Sequence, residues 1–261
     1  MSFSHIYVAT RFFEKDPAKE PLRLAQLQAF VNRMLALEVG GIGIAINTAI
    51  DHSDAMSHIA ALGRANVTAF AVTPWGRFVP ALQALLQAAS VAGFQKILCI
   101  SVEVEIDADA LAALDREVHA TALVAGLRMP GHLFQPGEHA CDGPRSPWNT
   151  AALWRVRDGL DRIGFASAGE ALFDPSGKSA GIEEVSTIAL YQKMYGDCGA
   201  TLLDASHVAW NTDRASQPDA LEEKLRSKQS RAARQLASAQ LLPGRVQHRV
   251  TRPHRLEEKH G

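Results

Sequence analysis

Acidic residues follow an apolar run near the middle of the chain. The run Ile97–Ile100 predicts a strand buried on both faces, and Glu103, Glu105, Asp107 and Asp109 come after it. In an extended chain, Glu103 and Glu105 point to one face because side chains alternate. Two carboxylates on one face offer the oxygen ligands that Mg²⁺ and Mn²⁺ prefer. The alternative is a solvated strand end followed by aspartates that cap a helix.

Strands and helices alternate through the first half of the chain. The predicted strands are 5–10, 42–47, 67–72 and 97–100, and the predicted helices are 22–37, 55–65, 78–92 and one that follows Asp107. This alternation predicts βαβ units and a parallel sheet, in which ligands bind at the carboxyl ends of the strands. The acidic residues lie at such an end. The two common glycine-rich phosphate loops, G-x-G-x-x-G after the first strand and G-x-x-x-x-G-K-[ST], are missing.

The second half has a less regular pattern. The sequence predicts strands at 120–129 and 200–203, helices at 150–156, 181–195 and 219–242, and loops at 134–147 and 164–179. The helix at 219–242 is basic and amphipathic, and disorder is expected after it. We therefore expect a body at 1–215 and a basic helix with a disordered tail at 216–261.

Composition is typical of an ordinary globular protein. The chain has 261 residues, of which 47% are hydrophobic and 21% charged, with a net charge of −1. Its three cysteines are far apart and lack metal-ligand spacing, which favours a reducing compartment. The opening residues contain no signal-peptide pattern, and no apolar run approaches the length of a membrane span. The sequence thus predicts a cytoplasmic protein.

Three segments resemble the family 2 glycosyltransferases, enzymes of the GT-A fold that use nucleotide sugars. Residues 96–111 lie where this family has an apolar strand ending in Asp-x-Asp, here Ser101-Val102-Glu103. Residues 147–165 are similar to its acceptor-side helix and Ile-Gly-Gly-Phe-like turn, and residues 180–185 to its Glu-Asp motif at a helix start. The resemblance covers roughly 6–210. It implies an α/β fold with a GT-A-like, Rossmann-type mixed sheet flanked by helices, followed by the basic helical tail.

The resemblance also implies where a nucleotide sugar binds. The nucleoside is expected at the ends of the first two strands, near Thr10, Arg11, Asn47 and Asp51. Arg77, in the loop after the third strand, is a candidate for binding phosphate because arginine makes bidentate contacts to phosphate oxygens. The alternative for Arg77 is an ordinary surface arginine.

The expected chemistry is transfer of a sugar to an acceptor hydroxyl with inversion. Ser101 and Glu103 are expected beside the donor diphosphate, and Glu103, Glu105 and His207 are the candidate ligands for Mn²⁺ or Mg²⁺. Glu184 is the candidate general base that takes the proton of the acceptor hydroxyl. The alternatives are a structural histidine at 207 and glutamates that only stabilise a helix start.

Two other functions remain open at this point. One is a nucleotidyltransferase of related fold, although residues 11–15 lack the glycine that such enzymes carry after the first strand. The other is a catalytically silent module that binds a sugar or a protein, favoured by the altered Ser101-Val102-Glu103 triplet. The basic tail predicts either a solvated helix or peripheral contact with an acidic membrane, which suits a lipid-linked acceptor. Nucleic-acid binding is not expected because no aromatic residues interleave the basic ones.

Overall fold

Nine of the described strands form a mixed sheet at the centre of the protein. The computed structural model describes residues 2–13, 17–47, 53–76, 79–170, 181–196, 198–205, 208–210 and 218–251. The strands of the sheet are β1 (Phe3–Phe12), β2 (Val39–Asn47), β3 (Val67–Val72), β4 (Lys96–Ile100), β6 (Ala122–Leu127), β7 (Gly137–Cys141), β8 (Ala151–Arg155), β9 (Gly199–Asp204) and β11 (Gly244–Val250). Two short strands, β5 (Val104–Ile106) and β10 (Val208–Trp210), pair with each other in antiparallel fashion.

The sheet is mostly parallel. Its strand order is β3-β2-β1-β4-β8-β6-β9-β11-β7. The first four strands in this order are parallel to one another. β8 is antiparallel to both of its neighbours, and β7 is antiparallel to β11. The carboxyl ends of β1, β2, β3 and β4 therefore meet at one edge, as the sequence predicts.

Helices cover both faces of the sheet. They are α1 (Glu20–Ala36), α2 (Ser53–Ala61), α3 (Val79–Val91), α4 (Ala108–Glu117), α5 (Glu183–Tyr195) and α6 (Pro218–Ser238), with short 3-10 helices at Pro17–Lys19, Leu160–Arg162 and Ser167–Glu170. Side chains of β1 alternate between two cores: Ile6 and Val8 pack with α1, α2 and α4, whereas Tyr7 and Ala9 pack with α3 and α5. Asp107 caps α4 as predicted, because its Oδ1 accepts a hydrogen bond from the backbone N–H of Ala110 at 2.8 Å.

The predicted alternation of strands and helices in the first half is confirmed, with shifts of a few residues at most element ends. The α/β class and the mixed sheet flanked by helices are likewise confirmed. Three predictions for the second half are wrong, and each concerns a strand of the main sheet.

Residues 150–156 form β8 rather than a helix. β8 lies between β4 and β6 inside the sheet, and all but one of the side chains of Ala151–Arg155 are buried because its two faces pack into the two cores. A strand buried on both faces has no polar–apolar alternation, so a run of alanine and leucine is easily mistaken for a helix. Similarly, the predicted loop at 134–147 contains the edge strand β7.

Residues 244–250 form β11 rather than a disordered tail. β11 is parallel to β9 and antiparallel to β7, so it belongs to the main sheet. Its buried residues, Gly244, Val246 and His248, alternate with more exposed ones. This period of two was present in the sequence but was outweighed by the basic composition. The domain boundary at residue 215 stays a prediction.

The helix α6 packs on the body of the protein. Ala232 and Leu236 contact Ile182, Val185 and Ala189 of α5 and its start. The apolar face of this basic helix is thus used inside the protein, and the predicted membrane contact stays a prediction. Among the described residues, no helix combines the length and the apolar character that crossing a membrane requires.

Candidate functional site

A cleft of about 560 Å³ opens at the carboxyl ends of β1 and β4. Its walls come from β1, α1, the loop after β3, α3, β4 and the turn that follows β4. The lining residues are Ala9, Thr10, Arg11, Phe13, Arg23, Trp75, Gly76, Leu82, Cys99, Ile100, Ser101, Val102, Glu103 and Asn149. The sheet topology thus places a concave site at the edge where open α/β sheets bind ligands.

Among the described residues, the charged side chains that line the cleft are Arg11, Arg23 and Glu103. This described part of the lining carries a net charge of +1, which favours an anionic ligand. The hydroxyl of Thr10 also lies here and is buried without a hydrogen-bond partner among the described residues. A buried hydroxyl that lacks a partner is costly, so it is a natural contact for a bound polar group.

Glu103 and Glu105 contact different arginines of α1. Arg23 Nη1 donates to Glu103 Oε1 at 2.6 Å, and Arg33 Nη1 lies 3.6 Å from Glu105 Oε1. These arginines are ten residues apart, which is about 15 Å along a helix. Glu103 lies in a turn and only Glu105 in a strand, so the extended geometry expected for the pair is not formed.

The described residues do not fit a divalent cation at this position. Glu103 is held by a guanidinium, and Ser101 provides a hydroxyl where the resemblance has a carboxylate. Within the described ranges, no three histidine, cysteine, aspartate or glutamate side chains are arranged to hold a metal ion. His207, the remaining predicted ligand, lies outside these ranges, so its role stays a prediction.

A buried pair of carboxylates lies beside the cleft at the start of α5. Glu183 and Glu184 are each 3% exposed. Asn149, which lines the cleft, donates from Nδ2 to Glu183 Oε1 at 3.1 Å. The indole N–H of Trp154 donates to Asn149 Oδ1 at 2.8 Å and so fixes the direction of the amide. Oε2 of Glu183 is buried without a hydrogen-bond partner among the described residues.

The Glu184 carboxyl has a strongly altered acidity. Its pKa is raised to about 8: burial is the main cause and the charge of Glu183 adds to it, whereas Lys228 and Arg11 act to lower the pKa. Arg11 lines the cleft, so the field of the carboxylate pair reaches the cleft wall. The pKa of the Cys99 thiol, in that same wall, is raised by burial and then by Glu183 and Glu184, while Arg11 lowers it.

Lys228 of α6 lies near the carboxylate pair and contacts Trp148. Its Nζ lies 3.0 Å from the ring centroid of the buried Trp148, a cation–π contact. The ring of His132 stacks on the same indole at 3.7 Å. Burial, and then the charge of Lys228, lowers the pKa of His132 to about 3, so this imidazole is neutral. His132 Nδ1 accepts from the Met129 N–H at 2.8 Å, which leaves Nε2 to donate to the Ser146 carbonyl.

The structure brings together four of the predicted donor-site residues. Thr10, Arg11, Ser101 and Glu103 all line the cleft. Asn47 is buried at the end of β2 but is not part of the lining. Asp51 and Arg77 lie outside the described residues. Glu184 is next to the cleft through Glu183 and Asn149 rather than in its wall.

Arg23, Asn149, Phe13 and Trp75 also line the cleft, and the sequence does not indicate them as site residues. Arg23 was assigned only to an amphipathic helix, and Asn149 only to the acceptor-side segment. Phe13 and Trp75 stack with ring centroids 5.8 Å apart and planes at 14°, and both line the cleft. The loop after β3 was recognised from its Pro and Gly, but a pairing across 62 residues leaves no signal in one sequence.

Comparison with family models and with curated proteins gives no match. Solved structures do match. A mannosyltransferase from Pyrobaculum calidifontis, in complex with GDP-Man and Mn²⁺, has a TM-score of 0.50 at 11% identity over 90% of this chain and 75% of its own. A candidate nucleotide-diphospho-sugar transferase from Desulfovibrio desulfuricans has a TM-score of 0.42 at 12% identity, over 96% and 80%. Mannose-1-phosphate geranyltransferase from Thermus thermophilus has a TM-score of 0.41 at 15% identity, over 94% of this chain and 74% of its own. At 11% identity the likeness to the mannosyltransferase is one of fold: the chain shares the mixed α/β fold of that protein.

Proposed function

We propose that the protein is a glycosyltransferase that uses a nucleoside-diphosphate sugar. The observation that carries this proposal is the juxtaposition of two features: a cleft at the carboxyl edge whose described lining is net positive, and a buried carboxylate pair joined to it by Asn149. The first suits the donor diphosphate and the second suits proton transfer. The mannosyltransferase of the same fold binds GDP-Man, which makes GDP-sugars the first donors to test.

In this proposal, the donor lies along the cleft. The stacked rings of Phe13 and Trp75 form an aromatic surface suited to the base, since nucleobases stack on aromatic side chains. The diphosphate lies toward Arg11 and Arg23, and the buried hydroxyl of Thr10 is placed to donate to it. The sugar then points toward Asn149 and the carboxylates.

Glu184 acts as the general base. It takes the proton of the acceptor hydroxyl while the acceptor oxygen forms a bond to the anomeric carbon. The bond from that carbon to the phosphate oxygen breaks on the opposite side, so the configuration inverts and the nucleoside diphosphate leaves as an anion. A base with a pKa of about 8 is well matched to a working pH near neutrality. Glu183 raises the proton affinity of this base, and Asn149 orients Glu183.

The test is an assay of nucleoside diphosphate release from GDP-, UDP- and dTDP-sugars, with a panel of sugar acceptors. We expect Glu184→Gln to reduce kcat by roughly 100-fold or more, because general bases contribute about 10²- to 10⁴-fold. Asp109→Asn, an exposed change in α4, is the matched control and should leave kcat unchanged. Proton NMR of the product identifies the anomeric configuration. Retained configuration, or full activity of the Glu184 variant, would exclude this mechanism.

A catalytically silent sugar-binding module is the second candidate. The ion pair of Arg23 with Glu103, at the place of the Asp-x-Asp motif in the resemblance, favours it. A silent module binds the nucleotide sugar but neither hydrolyses it nor transfers the sugar. Donor binding by calorimetry together with the release assay therefore separates the two candidates.

A further inference from the structure

The ion pair between α1 and the turn after β4 lies where the resemblance places a metal ion. Arg23 Nη1 donates to Glu103 Oε1 at 2.6 Å and to Gln26 Oε1 at 3.0 Å. Both side chains of the ion pair are partly buried, with exposures of 21% and 24%, and both line the cleft. A guanidinium therefore provides the fixed positive charge at this point of the cleft wall.

Hydrogen bonds hold the backbone of the turn around this ion pair. The N–H of Val104 donates to the carbonyl of Ser101 at 3.0 Å and closes the turn. Arg33, further along α1, donates to the carbonyl of Val102 at 3.3 Å. The turn and the helix are thus bound to each other at two points, so Arg23 is presented to the cleft in a preorganised position.

We infer that Arg23, oriented by Glu103, binds the donor diphosphate in place of a divalent cation. This inference rests on the proposed function. A planar guanidinium makes paired hydrogen bonds to phosphate oxygens and keeps its charge at any working pH. It stabilises the negative charge that builds on the leaving diphosphate, which is the task of a metal ion in related chemistry. Arg11, in the same cleft wall, adds a second positive charge.

Glu103 has opposite roles in the two possible sites. If Glu103 is a metal ligand, Glu103→Gln weakens nucleotide binding that depends on Mn²⁺. If Glu103 only orients Arg23, the same change removes a negative charge from a cleft that binds an anion. The amide oxygen still accepts a hydrogen bond from Arg23. We then expect binding to become tighter by about 2- to 10-fold, as for the loss of one nearby like charge.

The experiment is calorimetric titration of the full chain with GDP and UDP, in EDTA and in Mn²⁺. We expect a nucleoside diphosphate to bind in EDTA. Its dissociation constant in Mn²⁺ should differ from that in EDTA by no more than a few-fold. Arg23→Gln should weaken binding in EDTA by about 10- to 100-fold, the loss expected for hydrogen bonds to a charged group. Arg116→Gln is the matched control: it removes an exposed arginine of α4 that is not among the described lining residues of the cleft.

Each outcome decides between the possibilities. Binding that requires Mn²⁺ and is lost in Glu103→Gln overturns the inference and leaves the proposed function standing. Binding in EDTA that Arg23→Gln leaves unchanged also overturns it. Failure of every nucleoside diphosphate to bind, with or without Mn²⁺, refutes the proposed function itself. If Arg23→Gln does not fold, as judged by circular dichroism, Arg23→Lys replaces it: this variant keeps the charge, loses the paired hydrogen bonds and should bind about 3- to 30-fold more weakly.

Discussion

The pH dependence of sugar transfer should respond in opposite directions to two substitutions around Glu184. The pKa of this carboxyl is raised to about 8, so its ionised fraction is about 9% at pH 7 and about 91% at pH 9. If Glu184 is the base, kcat/KM should rise about tenfold between these pH values. Lys228 lowers this pKa and Glu183 raises it.

Removing Lys228 should therefore make the enzyme slower at pH 7. We expect Lys228→Met to move the rise of kcat/KM to higher pH, because a nearby positive charge that favours the ionised carboxylate is lost. Methionine is long enough to keep a contact with Trp148 and sulfur packs well on aromatic rings, so the fold should be retained. Glu183→Gln should move the rise to lower pH, because a repelling charge is lost.

The assay is kcat/KM for donor and acceptor from pH 5.5 to 9.5 at constant ionic strength. Arg226→Met, an exposed change on α6, is the control for the loss of a positive charge from this helix and should leave the profile in place. Shifts of Lys228→Met and Glu183→Gln in the same direction would refute the electrostatic reasoning. Complete loss of activity in Glu183→Gln, with Glu184→Gln active, would place the base at Glu183.

Three further predictions concern stability. Folded Glu184 keeps its proton up to about pH 8, whereas the unfolded chain releases it near pH 4.5, so the free energy of unfolding falls as the pH rises between these values. In calorimetric scans, Glu184→Gln should therefore have a higher melting temperature than the wild type at pH 8 and the same melting temperature at pH 4. Gly126→Ala should lower the free energy of unfolding in urea by about 1–3 kcal/mol, because the added Cβ would lie 2.5 Å from Pro147 Cβ. Gly199→Ala, whose added Cβ has its nearest neighbour at 3.6 Å, should lower it less. Asp107→Ala should lower the free energy of unfolding by about 1 kcal/mol because it removes the cap of α4, and Asp109→Ala on the same turn should lower it much less. An equal cost at the two glycines, or at the two aspartates, would contradict the packing and capping arguments.

The predictable part of the fold is the part with local signals. Amphipathic helices such as α1 and buried strands such as β4 have a period or an apolar run that one sequence shows directly. The capping role of Asp107 is local as well. β8 could not be recognised in this way, because its partner strands lie about 50 and 30 residues away along the chain and both of its faces are buried by tertiary packing.

In the candidate site, too, residues with local sequence signals are predictable and contacts that depend on tertiary packing are not. The position of Thr10, Arg11, Ser101 and Glu103 at the cleft can be predicted because they lie at or near strand ends, and strand ends can be located from the sequence. The contact between Arg23 and Glu103 spans 80 residues and depends on how α1 crosses the turn after β4. The proximity of Lys228 to Trp148 likewise depends on tertiary packing of α6. Charges brought together in this way decide what a carboxylate does, and a single sequence does not show them.

The position of β11 also sets the order in which the sheet can be completed during synthesis. Cys141 of β7 pairs with Gly244, so the two strands are separated by 103 residues (244 minus 141). Among the described strands, β7 pairs with β11 and with no other. At ribosomal rates of about 5–20 residues per second, β7 waits about 5–20 s for its partner to be made. β9 ends 40 residues before β11 begins (244 minus 204), so its edge waits about 2–8 s at the same rates and this part of the sheet is completed late.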